Sequence, residues 1–115
     1  MTALRQWDIV KVRINPEDRD EHPAVVISPE ETCADSKRIK LNVLYGTTRR
    51  PGETLSSHET VLNGADGLDH ATLFSCAAIY MIDRRKISQV VGRVAAIRRV
   101  QIGRKIVATF RFPLA

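Results

Sequence analysis

The hydrophobic positions of the chain fall into short runs that predict strands. Apolar and polar residues alternate with a period of two in residues 7–14 and again in residues 39–45, which is typical of strands with one buried face. Residues 23–28 and 73–82 are more continuously apolar and predict buried strands. The segments that predict strands are residues 7–14, 23–28, 39–45, 59–62, 73–82 and 87–94.

The pattern changes near the C-terminus. Ala96, Val100, Gly103, Val107 and Phe110 follow one another at spacings of 4, 3, 4 and 3 residues, which places them on one face of a helix over residues 95–110. Ile102 and Ile106 widen this face, and we expect it to pack on the core. The arginines and lysine of the segment lie mostly off that face, and a proline three residues beyond it ends the helix.

Polar loops separate the predicted strands. Residues 30–37 break the apolar pattern, and the strand of residues 39–45 is expected to end at Gly46. Residues 47–57 form a long polar loop, and loops of this length in a small domain are often functional. We therefore predict a single domain over residues 1–115, mainly β, built as a small barrel or two packed sheets of five to six strands with a C-terminal α-helix.

The charge distribution adds a clue about partners. The 115-residue chain has a formal charge of +5. Residues 84–115 contain nine basic residues and no acidic residue, whereas residues 1–83 contain nine basic and thirteen acidic residues. A basic end of this kind favours a polyanionic partner, and RNA, DNA and an acidic protein remain open.

The composition excludes several classes of protein. No apolar run approaches the roughly 20 residues of a membrane span, and the first residues do not resemble a signal peptide. Cys33 and Cys76 lack the spacing of a zinc site, so we expect no metal and no cofactor. A cytoplasmic protein without membrane contact is the expectation.

Several motifs, in order, resemble the PemK/MazF/Kid family of toxin–antitoxin ribonucleases. WDIVKVRINP, HPAVVISP and LNVLYGTTR are similar to the family's first strands, SHETVLN to the next loop and strand, and GADGLDHATLFSCAAIYMIDRRKI to a later stretch. The resemblance implies an SH3-like β-barrel, usually a homodimer, that is held by an acidic antitoxin. It also implies metal-independent cleavage of single-stranded RNA, in which the 2′-hydroxyl attacks the adjacent phosphate.

The resemblance and the chemistry together predict a catalytic pair. Where family members that cut RNA carry Arg before a Pro, this chain has His22, and where they carry Asp after a Cys, it has Ala77. Histidine can act as base or acid near neutral pH. We therefore assign proton transfer to His22 and contact with the phosphate to the hydroxyl of Thr47, the family's position, or of Thr48.

Further residues are predicted to bind RNA. Arg49 or Arg50 would supply the missing cation, with Thr48 beside them, and His58 lies in a segment similar to the family's substrate loop. His70, which follows Asp69, is interpreted as a group that makes local hydrogen bonds.

Two other functions remain open at this stage. The replacements at His22, Ala77 and Ala78 are also compatible with a family member that has lost catalysis and binds protein or nucleic acid. A third hypothesis is a poison of a protein target, because the CcdB toxins share the barrel.

Overall fold

Six strands form one antiparallel sheet in the computed structural model, which describes residues 3–48, 52 and 54–114. The sheet order is β4-β5-β3-β2-β1-β6. The predicted mainly β fold with a C-terminal helix is confirmed. The strands are β1 (Asp8–Val12), β2 (His22–Val26), β3 (Lys40–Thr48), β4 (Glu59–Leu62), β5 (Thr72–Asp83) and β6 (Ile87–Arg93), and the α-helices are α1 (Glu30–Ala34) and α2 (Ala96–Thr109).

The sheet is buried on both faces, because each face carries its own hydrophobic cluster. On β2, Val25 packs in the cluster that includes Ile102 of α2, whereas Val26 packs in the cluster that includes Cys33 of α1. Successive residues of a strand point to opposite faces, so neighbours enter different clusters. Burial on both sides explains why residues 23–28 are apolar without alternation.

The structure corrects the end of the third strand. β3 continues past Gly46 to Thr48. A Cβ atom at Gly46 would lie 2.6 Å from the ring of Phe74 and 2.8 Å from the carbonyl oxygen of Pro23, so the glycine permits close packing there and does not end the strand. The threonine pair is therefore part of a paired strand, with Thr47 opposite Leu73 and Thr48 opposite Thr72.

The short helix α1 was not predicted, since its residues show no amphipathic pattern. The buried guanidinium of Arg84 holds this region, because it donates hydrogen bonds of 2.8–3.0 Å to four backbone carbonyls. The accepting carbonyls belong to Thr32, Cys33, Asp35 and Arg38. These carbonyls satisfy the donors of the buried guanidinium, so Arg84 ties the segment that contains α1 to the end of β5.

The predicted core face of α2 is confirmed only at its edge. Ile102 is fully buried and Ile106 packs against the same cluster, whereas Val100 and Val107 are 54% and 72% exposed. Two basic side chains of the helix also reach the body: Arg98 donates to the carbonyl of Val61 at 2.9 Å, and the amine of Lys105 donates to the carbonyl of Glu59. Periodicity identifies an apolar face, but it does not reveal that long basic side chains can anchor the opposite one.

Candidate functional site

A cleft of about 680 Å³ opens at the rim of the sheet. Its walls come from β1, β2, β3, β6 and the segment that leads into β5. The residues that line it are Lys11, Asp20, Glu21, His22, Pro23, Thr48, Gly67, Leu68, Asp69, His70, Thr72, Gln89 and Val91. Two imidazoles, two threonine hydroxyls, one lysine and three carboxylates thus share one cavity.

His22 is the first residue of β2 and is half-buried. Its ring lies 5.1 Å from that of Tyr45, centroid to centroid, at an angle of 51°. The hydroxyl of Tyr45 donates to a carboxylate oxygen of Asp18 at 3.2 Å. Burial, followed by this hydrogen bond, raises the pKa of Tyr45 to about 12. Tyr45 therefore stays neutral and supports the His22 ring as an aromatic neighbour.

The threonine pair divides between two surfaces. Thr48 lines the cleft together with Thr72, its partner in the β3–β5 register. Thr47, one residue earlier on the same strand, is exposed and is not among the described residues that line the cleft. Because side chains alternate along a strand, the two hydroxyls point to opposite faces of the sheet. Thr48 faces the cleft, whereas Thr47 lies on the same face of β3 as Tyr45, against which the ring of His22 packs.

A turn held by hydrogen bonds, residues 63–67, forms another part of the cleft wall. The buried carboxylate of Asp66 accepts a 2.9 Å hydrogen bond from the backbone of Ala95 and a 3.1 Å bond from that of Asn63. Gly67 follows with a φ of 92°, a left-handed conformation that favours glycine. A Cβ atom on Gly92 of β6 would lie 2.1 Å from the Asp66 carbonyl oxygen, so the turn presses directly on that strand.

His70 extends from this turn into the cleft. It is exposed, and its backbone carbonyl accepts a 3.1 Å hydrogen bond from the hydroxyl of Thr72. The anchored turn holds the segment on one side and β5 holds it on the other. The structure thus brings His70 into the same cavity as His22, whereas the sequence pattern indicated only a local hydrogen-bonding role.

Among the described residues, the cleft lining is acidic apart from one cation. Asp20 and Glu21 precede His22, and Asp69 precedes His70, while Lys11 of β1 supplies a positive charge. Lys11 was not predicted as a site residue. The only sequence feature that could have indicated Lys11 is its polar position in the alternating first strand. Alternation alone does not show which polar residues of different strands lie next to one another.

His58 lies elsewhere. Its imidazole is 3.2 Å from the hydroxyl oxygen of Ser56, and it lines a separate cleft with Arg104 and Lys105 of α2. The backbone N–H and the hydroxyl of Ser56 both donate to Glu59, and they lower the pKa of that carboxyl group. A basic cleft beside a histidine can contact phosphate, but it is distinct from the cavity of His22.

Three further positions that the sequence singled out are Arg49, Arg50 and Ala77. Arg49 and Arg50 lie outside the described residues. Ala77, where the resemblance expects Asp, is half-buried on β5 and is not among the described residues of this cavity. Within the described ranges, no three His, Cys, Asp or Glu side chains are grouped so as to hold a metal ion.

Comparison with known proteins decides the family. The family described as PemK-like, MazF-like toxin of type II toxin-antitoxin systems matches residues 5–110. The chain belongs to this family. MazF-like proteins of this family are known as endoribonucleases. No curated protein sequence matches the chain.

Solved MazF-like structures share the fold. An endoribonuclease from a mycobacterial species, solved with its cognate antitoxin, has a TM-score of 0.77 and 11% identity, covering 100% of both chains. Mycobacterium tuberculosis toxin MazF-mt6 has a TM-score of 0.74 and 16% identity, covering 92% of this chain and 98% of that one. A Deinococcus radiodurans MazE-MazF structure has a TM-score of 0.73 and 14% identity, covering 98% and 100%. In the part of the MazF-like chain that the structure describes, neither helix is long and apolar enough to cross a membrane.

Proposed function

We propose that this chain is the toxin of a type II toxin–antitoxin system and cuts single-stranded RNA in the cytoplasm without a metal. The observation that carries the proposal is the rim cleft, which His22, Thr48 and Lys11 line. Family membership supplies the reaction class, and these three side chains supply groups that the reaction needs.

The reaction begins with proton transfer. The neutral imidazole of His22 accepts the proton of a ribose 2′-hydroxyl, and the 2′-oxygen forms a bond to the adjacent phosphorus. The bond from phosphorus to the 5′-oxygen of the next nucleotide breaks, the leaving oxygen takes up a proton, and His22 later returns its own proton to solvent. The products are a 2′,3′-cyclic phosphate and a 5′-hydroxyl end, and no redox partner or water is consumed.

Lys11 and Thr48 act on the phosphate. The ammonium group of Lys11 offsets the negative charge that grows on the non-bridging oxygens, and the Thr48 hydroxyl donates a hydrogen bond to one of them. Lys11 thereby takes the role that the sequence analysis gave to Arg49 or Arg50. Thr48 is the candidate that lines the cleft, and Thr47 is the alternative, because it lies on the face of β3 that carries Tyr45 and the His22 ring.

The test is cleavage of a long unstructured RNA by purified protein in excess chelator, with the ends of the fragments mapped. We expect cyclic phosphate and 5′-hydroxyl ends. Fragments with 5′-phosphate ends, or cleavage that depends on added metal, would contradict the mechanism. Cleavage that fails under all conditions would contradict the enzymatic function itself.

Thr48→Val and Thr47→Val form a matched pair for the same assay. Both remove one hydroxyl from neighbouring positions of β3, so their effects on folding should be similar. We expect Thr48→Val to slow cleavage by roughly a hundredfold, as for the loss of one donor to a developing oxyanion. Thr47→Val should have a clearly smaller effect, and the reverse order would show that Thr47 contacts the phosphate.

A second candidate function is binding without catalysis, and the alanine at position 77 favours it. In that case, wild type and His22→Ala would bind RNA equally and neither would cut it. Binding to a protein target with no affinity for RNA would instead support the poison hypothesis.

We propose that the acidic antitoxin docks on the exposed stripe of α2, formed by Val100, Gly103 and Val107. Arg99, Arg104 and Arg111 flank the stripe. An amphipathic acidic segment would bury apolar side chains against the stripe and pair its carboxylates with the arginines. The charge of this surface favours such a partner over a second copy of the same basic helix.

Homodimer formation is a separate proposal. It rests on the homodimer that the family resemblance implies and on exposed apolar side chains near the C-terminus. Among these, Phe112 is 73% exposed and Leu114 is 94% exposed. Light scattering on the purified chain measures the mass directly. A monomer at the concentrations of the cleavage assay would contradict the proposal.

A further inference from the structure

We infer that His70 is the general acid that protonates the leaving 5′-oxygen. This inference rests on the proposed function, because it concerns the same cleavage reaction. The sequence pattern gave His70 only a local role, and the observation that changes this is its place in the cleft with His22.

The geometry of the reaction requires a second proton-transfer group. In an in-line displacement, the attacking and leaving oxygens lie on opposite sides of the phosphorus. His22 on the side of the 2′-hydroxyl is therefore badly placed to protonate the 5′-oxygen in the same step. A partner from the other side of the cavity can do so.

The topology puts His70 across the rim from His22. β2 carries His22 and pairs with β3, β3 carries Thr48 and pairs with β5, and His70 directly precedes β5. In the other direction, β2 pairs with β1, β1 pairs with β6, and β6 contacts Gly67 of the turn that leads to His70. The two imidazoles thus approach the cavity from different parts of the wall.

The chemistry of the lining selects His70. Carboxylates are ionised at neutral pH and can only accept a proton, and lysine is too weak an acid to release one readily. Imidazole has an intrinsic pKa near neutrality and can do either. Among the described residues that line the cleft, the only imidazoles are His22 and His70.

The backbone on both sides of His70 is also held in place, which a positioned proton donor requires. Asp66, buried with its side chain fully enclosed, fixes the turn before His70, and the Thr72 hydroxyl holds the His70 carbonyl. The imidazole itself is exposed, so solvent can restore its proton after each turnover. In the step itself, the His70 imidazolium gives its proton to the 5′-oxygen while the phosphorus–oxygen bond breaks.

An RNA with sulfur in place of the 5′-oxygen at one cleavage site tests this role. A thiolate leaves without protonation, so the acid is no longer needed. We expect His70→Ala to slow cleavage of the ordinary RNA by about 10²–10⁴-fold and to slow cleavage of the sulfur RNA by less than about tenfold. His22→Ala should slow both, since both need the base.

The pH profile gives an independent readout. The rate of a reaction that needs one base and one acid rises and then falls with pH. His70→Ala should remove the alkaline fall, because the group whose deprotonation causes it is absent. The ionisable residues that line the cleft with the two histidines are Lys11, Asp20, Glu21 and Asp69, and Tyr45, which donates to Asp18, packs on His22; all are unchanged in this variant.

Controls separate the role from a folding defect. His70→Gln keeps most of the side-chain volume and should behave like His70→Ala. Ala71→Gln alters the exposed neighbour, which is not among the described residues of the cleft, and should leave cleavage unchanged. Each variant is checked by circular dichroism and thermal unfolding.

Two outcomes would overturn the acid role alone. One is equal slowing of both RNAs by His70→Ala, and the other is wild-type rates for that variant. If the wild-type protein cuts neither RNA, then the proposed function fails and the role of His70 fails with it.

Discussion

The rim cleft and the exposed stripe of α2 have opposite characters. The described residues of the cleft lining include three carboxylates, one lysine and two histidines, and the surface is mostly polar. The stripe is apolar, and three arginines flank it with no carboxylate among the described residues of that surface. The first surface can transfer protons, whereas the second has no group suited to that task but can bind a partner.

The positive charge of this chain and its candidate reacting groups therefore lie on different surfaces. Among the described residues of the basic C-terminal third, only Gln89 and Val91 of β6 line the rim cleft. Under the proposed function, one surface would attract RNA and another, less favourable one would cut it. An antitoxin that covered the basic surface would weaken RNA binding without touching the reacting groups.

The largest effect should come from the cleft. We expect His22→Ala to lower the cleavage rate by about 10²–10⁴-fold, because it removes the base for the 2′-hydroxyl. Single-turnover kinetics on one synthetic RNA measures this rate. Antitoxin affinity should remain at the wild-type value, and a variant that cuts RNA normally would remove His22 from the mechanism.

The next effect should come from the stripe. Val107→Glu introduces a carboxylate into the exposed apolar surface and should weaken binding of an acidic antitoxin about 10–100-fold, through like-charge repulsion and lost apolar contact. Calorimetry with the purified partner measures the affinity. Val107→Ala serves as a control for side-chain loss alone. Unchanged affinity in Val107→Glu would place the antitoxin elsewhere.

A smaller effect should follow from neutralising the cleft. Asp20→Asn together with Asp69→Asn removes two negative charges that repel RNA phosphates, so the KM for RNA should fall a few-fold at about 50 mM salt. The difference should shrink at about 500 mM salt, because exposed charges are screened. A KM that rises in the double variant would mean that the carboxylates bind the substrate.

The smallest effect should be seen at high pH. The pKa of Tyr45 is raised to about 12, so the folded state holds a phenolic proton that the unfolded state releases near its ordinary value of about 10. The stabilisation from this proton is complete below pH 10 and is lost as the pH rises toward 12. The free energy of unfolding should therefore fall more steeply in wild type than in Tyr45→Phe over that range. Parallel curves for the two proteins would contradict it.

Much of the fold could be predicted, because strand periodicity is a local signal. The six strands and the C-terminal helix were predicted with ends shifted by a few residues. Gly46 misled the prediction, since its small size serves packing against Phe74 and does not mark a turn. The face of α2 misled it as well, because an apolar stripe usually packs on the core, whereas here Arg98 and Lys105 anchor the helix through backbone carbonyls.

The site was harder to predict because it is assembled from distant parts of the chain. The resemblance pointed to His22 and to the threonine pair, but only the folded sheet shows that Thr48 lines the cleft while Thr47 lies on the face of Tyr45. Lys11 and His70 are single residues that belong to no motif. The pairing of β1 with β2 and the turn at Asp66 and Gly67 bring them to the cleft that His22 also lines, and no short motif encodes that arrangement.

The central claim is that the 2′-hydroxyl of the RNA is the nucleophile and that the rim cleft activates it. The most direct measurement is cleavage, in excess chelator, of two otherwise identical RNAs, one of which carries a single 2′-deoxy nucleotide on the 5′ side of the cleaved bond. We predict that wild-type protein cuts the unmodified RNA there and leaves the 2′-deoxy RNA intact at that bond. Cleavage of both RNAs at that bond would contradict the account, because water or a protein side chain would then be the nucleophile.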